Sequence, residues 1–162
     1  MYELFLFTHS WLRWFVILLL IIVFLKTTIG WLKQKPFTLM DKILSSILLG
    51  FTHVQFLVGI ILYFVLSPIT QAAFHDFKFA IKSTALRFWT VEHSFLMILF
   101  VIFIQIGKSV SKRRAEGRKK HKILSICTGI GILLIIAGMP WPNKKDVGRP
   151  LFIEIPQSIE PK

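Results

Sequence analysis

The chain has 162 residues, of which 54% are hydrophobic, and its mean hydropathy is +0.67. This composition excludes an ordinary soluble domain and predicts an integral membrane protein. A net charge of +12 would suggest nucleic-acid binding in a soluble protein, but here the basic residues are sorted into particular loops. We therefore expect the lipid bilayer, and no nucleic acid, as a partner.

Four apolar runs are long enough to cross about 30 Å of hydrocarbon. They predict an all-α, integral membrane four-helix bundle over residues 1–142, with no separate soluble domain. The predicted helices cover about 4–29, 43–66, 86–106 and 123–139. Residues 143–162 are predicted to form an extended periplasmic tail, in which Leu151–Ile155 could add one short strand.

Lysine and arginine are distributed unevenly between the loops. The two loops that follow helices 1 and 3 share one side of the membrane and hold twelve basic residues, against seven on the opposite side. By the positive-inside rule, both termini are predicted to lie on the non-cytoplasmic side of a bacterial inner membrane. The basic loops are then an orientation signal and a contact for anionic lipid.

Helix 1 carries an arginine inside its apolar run. His9 and Arg13 are four residues apart, so their side chains share one face of the helix. Arg13 is expected near the membrane midplane, where an unpaired guanidinium is very costly. It therefore needs a partner, and we expect an ion pair between Arg13 and Glu92 that links helices 1 and 3.

Helix 2 follows a Thr-x-x-Asp pattern at Thr38 and Asp41, which predicts a capping box. Its third turn carries His53. The loop after this helix, residues 69–83, repeats apolar residues at helical spacing and predicts a short interfacial helix. His75 lies in this loop and is interpreted as a surface residue.

Helix 3 begins with three ionisable residues, Arg87, Glu92 and His93, of which Arg87 is expected at the outer boundary. His121 follows the second basic loop and is interpreted as a plain membrane-interface residue. The glycines of helix 4 are separated by whole helical turns and favour close helix packing rather than chemistry.

His9 is five residues from Leu4 and His93 is five residues from Phe88, which places each about 7.5 Å deep at 1.5 Å per residue. Two imidazoles at one depth on different helices are the arrangement that ligates haem iron from both faces. Arg87 could then pair with a propionate. The alternative is a hydrogen bond between His9 and His93 across the helices. His53 lies deeper, and its possible roles are a second-site ligand, a proton relay with Gln55 or an interhelical hydrogen bond.

Four short motifs carry a resemblance to a known family. They are His-Ser-x-Leu-Arg-Trp in helix 1, His-Val-Gln-x-Leu-x-Gly in helix 2, Arg-Phe-x-x-x-Glu-His in helix 3 and Lys-His-Lys before helix 4. Over roughly residues 4–142 the chain resembles small bacterial four-helix membrane proteins described as cytochrome b-like. The resemblance implies haem b and electron transfer in the inner membrane, with His9, His53, His93 and His121 as candidate ligands.

The hypothesis that follows is a membrane cytochrome that binds haem b non-covalently through His9 and His93, since the chain has no Cys-x-x-Cys-His motif. Arg13, Arg87 and His53 are the further candidate site residues. An electron carrier is expected rather than an enzyme, with a redox partner or larger membrane complex and, as another possibility, a quinone. Two alternatives remain open: a cofactor-free accessory or assembly subunit, and a histidine-based metal or proton carrier.

Overall fold

The structure is a computed structural model, and it describes residues 1–153. Within that range every regular element is helical. The elements are α1 (Tyr2–Leu32), α2 (Leu39–Ile61), α3 (Pro68–His75), α4 (Phe77–Lys82), α5 (Thr84–Arg87), α6 (His93–Lys112) and α7 (Gly117–Gly138). A π-helical turn at Leu62–Leu66 continues α2, and a second one at Phe88–Glu92 joins α5 to α6.

Four continuous helical segments are long and apolar enough to span a membrane. They are Tyr2–Leu32, Leu39–Leu66, Thr84–Lys112 and Gly117–Gly138. The four predicted helices are thus confirmed, although most continue further than predicted into the basic loops. At the start of α2 the predicted capping box is present and begins the helix at Leu39, earlier than predicted. Thr38 N donates to Asp41 Oδ2 at 2.7 Å, and Asp41 N donates to Thr38 Oγ1 at 3.4 Å.

The four spans form a bundle in which α1 packs against α2 and α7, and α6 packs against the same two helices. Helices α1 and α6 therefore lie diagonally across the bundle. We call the end at which α1 begins and α7 ends the terminal end. The opposite end, with the two lysine- and arginine-rich connections, is the basic end.

The bundle core is tightest in its middle and toward the basic end. It is built around a cluster of buried residues: Val16, Leu20, Val23, Leu48, Phe100 and Ile104. Glycines let α6 and α7 approach closely. A Cβ added at Gly107 would lie 2.7 Å from Cys127 Cβ, and one at Gly131 would lie 3.1 Å from the Phe100 ring. The prediction that the glycines of helix 4 serve helix packing is confirmed.

Residues 69–83, which the spacing predicts as one short interfacial helix, are instead divided between two short helices, α3 and α4. The break falls at Asp76, whose carboxylate accepts a hydrogen bond from Phe79 N at 2.9 Å and so begins α4. An N-cap aspartate favours a new helix start because it satisfies an otherwise unpaired backbone N–H. His75 is exposed, as predicted.

The segment after α7, residues 139–153, folds back across the terminal end of the bundle. Trp14 Nε1 donates to Leu151 O at 3.0 Å, Trp11 Nε1 donates to Ile153 O at 3.2 Å, and the Phe152 ring stacks on Trp14. This part of the tail therefore packs on the bundle rather than extending away from it. Residues 151–153 form no strand, and the rest of the predicted strand lies outside the described residues.

Candidate functional site

A cavity of about 430 Å³ lies in the terminal half of the bundle, among α1, α2, α6 and the tail. This volume is within the range of roughly 300 to 1,000 Å³ that is typical of small-molecule and cofactor sites. Most of its wall is apolar. The polar and aromatic side chains in its wall include His9, Arg13, Thr52, Gln55, Trp89, His93 and Arg149.

His9 and His93 both line this cavity, and they do so from the two diagonal helices. Helix α2 contacts both regions. Gly59 lies beside the His9 ring, and four residues further on Tyr63 Oη donates to Thr90 O at 2.9 Å, one turn before His93. Both histidines therefore lie in the terminal half of the bundle. Their equal depth, counted from Leu4 and Phe88, stays a prediction, because the spans begin at Tyr2 and Thr84 and a π turn precedes His93.

His93 is held by the end of α7. Its Nδ1 lies 2.8 Å from Gly138 O. A carbonyl can only accept, so Nδ1 must carry the proton, and Nε2 is left as the nitrogen with a free lone pair. A histidine that donates from one ring nitrogen to a backbone carbonyl and ligates through the other is the usual arrangement at metal sites.

His9 is positioned by α2. Gln55 Nε2 donates to His9 O at 3.0 Å, which ties the two helices together at this level. A Cβ added at Gly59 would lie 3.2 Å from His9 Cε1, so the absence of a side chain makes room for the imidazole. The small residue in the His-Val-Gln-x-Leu-x-Gly motif of helix 2 thus serves a histidine on another helix.

The cavity wall contains several buried polar atoms that have no hydrogen-bond partner among the described residues. They are His9 Nδ1, Arg13 Nε, Thr52 Oγ1 and Gln55 Oε1. A buried polar group without a partner costs about 1–3 kcal/mol. Native structures contain few such groups, and four of the seven found among the described residues belong to side chains that line this cavity. This distribution is consistent with a binding site for a molecule with polar groups of its own.

The predicted ion pair between Arg13 and Glu92 is wrong. Arg87 Nε donates to Glu92 Oε1 at 2.8 Å, whereas Arg13 Nη2 donates to Leu151 O at 3.1 Å. The π-helical turn explains the pairing. Residues five apart are about 140° apart in a regular α-helix, but the i to i+5 geometry of a π turn brings them to one side. Arg13 is instead partnered by a backbone carbonyl of the tail.

Arg87 does not line the cavity. Its side chain is 42% exposed and is paired with Glu92. A different arginine lies at the cavity. Arg149, in the tail, contributes to the wall, and its guanidinium carbon is 4.2 Å from the centre of the Trp89 ring. Sequence reasoning missed Arg149 because no local pattern links residue 149 to helix 3.

The three remaining histidines lie elsewhere. His53 is exposed on the outward face of α2 and His75 is exposed on α3, so neither lines the cavity. His121, predicted to be a plain membrane-interface residue, lies near the start of α7 at the basic end but is buried, with only 2% of it accessible. Its ring fills a notch at Gly30 and packs against Phe37, with ring centres 5.0 Å apart. It is a packing residue at the basic end.

The cavity fits an anionic, mainly apolar cofactor better than a bare metal ion. In the part of the chain that the structure describes, no group of three or more His, Cys, Asp or Glu side chains is close enough to hold a metal ion. The cavity offers two imidazoles from opposite helices, which is the ligand number that haem requires from the protein. Its charged side chains are Arg13 and Arg149, and no described lining residue is acidic.

Comparison of the chain with protein-family models, with curated proteins and with solved structures finds no match in any of the three. The candidate site therefore depends on the geometry of the cavity and on the chemistry of the residues that line it.

Proposed function

We propose that the protein is a membrane cytochrome that binds haem b non-covalently in the cavity, with His9 and His93 as the two iron ligands. One observation carries this proposal. Two histidines on diagonal helices line a single cavity, and no other histidine of residues 1–153 lines it. The resemblance of the sequence motifs to cytochrome b-like membrane proteins supports the same reading.

The residues around the two histidines have separate roles in this proposal. Gly138 O holds His93 in the tautomer that presents Nε2 to the cavity, and Gly59 leaves space for the His9 ring. Trp89 provides an aromatic wall. A haem held by two imidazoles has no free coordination position, so it supplies one-electron transfer rather than oxygen chemistry. We therefore propose an electron carrier rather than an enzyme with a substrate of its own.

The location follows from the charge distribution. We propose that the protein lies in a bacterial inner membrane with the basic end in the cytoplasm, because twelve basic residues belong to the two loops at that end. The cavity then lies near the periplasmic surface, where electrons pass to a membrane or periplasmic redox partner. A quinone in the bilayer is the other class of partner within reach of this position.

Single substitutions of the histidines test the ligand assignment. His9→Ala and His93→Ala should each replace the sharp bands of a reduced low-spin cytochrome by a high-spin spectrum or abolish haem retention. His53→Ala and His75→Ala are matched controls and should leave the spectrum unchanged, since both side chains lie outside the cavity. Loss of the low-spin spectrum in the His53 variant, with retention in the His9 variant, would reject the proposed ligands.

The same preparation separates the alternatives. Protein that is colourless when isolated from haem-replete cells would favour the cofactor-free accessory or assembly subunit. A protein that lacks haem but binds a transition-metal ion or carries protons through His9 and His93 would favour the histidine-based carrier.

A further inference from the structure

We infer that Arg13 and Arg149 together form a carboxylate-binding subsite that holds the acidic groups of the cavity's ligand, and that the tail forms one side of this subsite. The inference rests on the proposed function and deepens it: it specifies the ligand as a large apolar ring that bears free carboxylates. It also replaces Arg87, which the sequence suggested for this role.

The tail places Arg149 at the cavity by a defined set of contacts. Its guanidinium lies over the Trp89 ring at 4.2 Å, and Trp89 itself lines the cavity. Two residues further on, Leu151 O accepts hydrogen bonds from both Arg13 Nη2 and Trp14 Nε1, at 3.1 and 3.0 Å. A guanidinium stacked on an aromatic face keeps the N–H groups at its edge available for a planar anion.

Arg13 approaches the cavity from α1. One of its terminal nitrogens is used by Leu151 O, while Nε is buried and has no partner within residues 1–153. A guanidinium has five N–H donors in a fixed fork, so the bond to the tail leaves donors for a ligand. The same side chain thus anchors the tail and faces the ligand.

The charge of the cavity identifies the class of ligand. Two guanidinium groups line a cavity in an apolar bundle, and no described lining residue is acidic to offset them. Cations in membrane spans are costly unless they are paired, and arginine binds carboxylates in bidentate fashion. The remaining wall is mainly apolar. A neutral macrocycle would leave both guanidinium groups without a counter-ion. A porphyrin dicarboxylate would pack its ring against the apolar wall and pair its carboxylates with both guanidinium groups.

The test uses the full chain in detergent and two fluorescent probes, metal-free protoporphyrin IX and its dimethyl ester. The two probes have the same ring, but the ester has no ionised carboxylate. Binding is measured for the parent protein, Arg149→Gln, Arg13→Gln and the control Arg87→Gln. Far-ultraviolet circular dichroism and gel filtration check folding, and Arg13→Lys, which keeps the charge but loses the fork, replaces Arg13→Gln if that variant does not fold.

The parent protein should bind the diacid at least about tenfold more tightly than the diester, because each lost charge-assisted hydrogen bond changes affinity by about that factor. Arg149→Gln and Arg13→Gln should each remove most of this preference, and Arg87→Gln should keep it. Equal affinity of the parent protein for the two probes would overturn the inference. So would a loss of preference in Arg87→Gln as large as that in Arg149→Gln.

The iron-containing form separates this inference from the proposed function. If haem gives no low-spin spectrum but the preference for the diacid still depends on Arg13 and Arg149, the carboxylate subsite stands and the cytochrome proposal fails. If haem is ligated by His9 and His93 but the diester binds as well as the diacid, the cytochrome proposal stands and the subsite is rejected.

Discussion

The two halves of the bundle use the same residue types in opposite ways. At the basic end, the His121 ring is enclosed by Gly30 and Phe37 and only 2% of the residue is accessible. In the terminal half, His9 and His93 face a cavity of about 430 Å³. A buried histidine is thus a packing residue in one half and a candidate ligand in the other, and the difference lies in whether neighbouring helices close around the ring or leave space beside it.

The polar groups show a weaker contrast. Thr128 Oγ1 in α7 donates to Leu124 O at 2.7 Å, whereas Thr52 Oγ1 and Arg13 Nε at the cavity have no partner among the residues described. At the basic end, His121 Nδ1 and Asp41 Oδ1 also lack a hydrogen bond, although Lys26 Nζ lies 3.1 Å from Asp41 Oδ1. The unpartnered groups of the side chains that line the cavity carry the cost that a binding site imposes on a protein without its ligand.

The largest expected effect is overpacking at the closed end. In Gly30→Ala the new Cβ would lie 2.5 Å from the His121 ring, which is itself packed against Phe37. We expect a loss of about 3 kcal/mol in the free energy of unfolding, measured by denaturation in mixed detergent micelles. The control is Gly50→Ala, where nothing lies within 4 Å of the new Cβ. That change should be neutral or stabilising by up to about 1 kcal/mol. A Gly30→Ala variant as stable as the parent would show that the His121 ring does not fill the space beside Gly30.

A smaller loss is expected at the start of α2. Asp41→Ala removes the carboxylate that accepts from Thr38 N and Thr38 Oγ1, and it leaves Lys26 without its partner. The bond from Asp41 N to Thr38 Oγ1 uses the backbone and is kept. We expect a loss of about 2 kcal/mol, because hydrogen bonds to a charged group contribute about 1.5–3 kcal/mol and this carboxylate is buried. Glu116→Ala is the control, since the pair with Lys119 is exposed on both sides and should contribute less than about 0.5 kcal/mol. Equal effects of the two substitutions would contradict the distinction between a pair with a buried carboxylate and a fully exposed pair.

The smallest effect compares two threonines. Thr128→Val removes a satisfied hydroxyl and should cost about 1 kcal/mol. Thr52→Val removes a hydroxyl that has no partner within the described part of the chain, so the ligand-free protein should be as stable as the parent or slightly more stable. Thermal unfolding of both variants without added cofactor makes the comparison. A larger loss for Thr52→Val than for Thr128→Val would argue against an unsatisfied cavity wall.

Features set by local sequence could be predicted well. The four spans follow from apolar runs that are longer than the bilayer core, and the capping box at Thr38 and Asp41 is a short-range pattern. The placement of His9 and His93 in the same half of the bundle follows from their positions near the outer ends of helices 1 and 3. The helices were predicted too short at the basic loops, because lysine and arginine in the terminal turns of a membrane span resemble loop sequence.

Features that depend on irregular backbone or on distant contacts were missed. Arg87 and Glu92 are brought together by a π turn, and the residue types in Phe88–Glu92 do not predict such a turn. The placement of Arg149 depends on a tail that folds back onto Trp11 and Trp14, so a residue distant in sequence contributes to the cavity. The burial of His121 likewise depends on a glycine in another helix.

The visible absorption spectrum of the purified protein, recorded before and after reduction with dithionite, tests the assignment of His9 and His93 as haem ligands. We expect one haem b per chain, with the sharp bands of a six-coordinate low-spin cytochrome on reduction. A spectrum without haem after isolation from haem-replete cells, or a high-spin spectrum in the parent protein, would contradict the assignment of His9 and His93 as paired ligands.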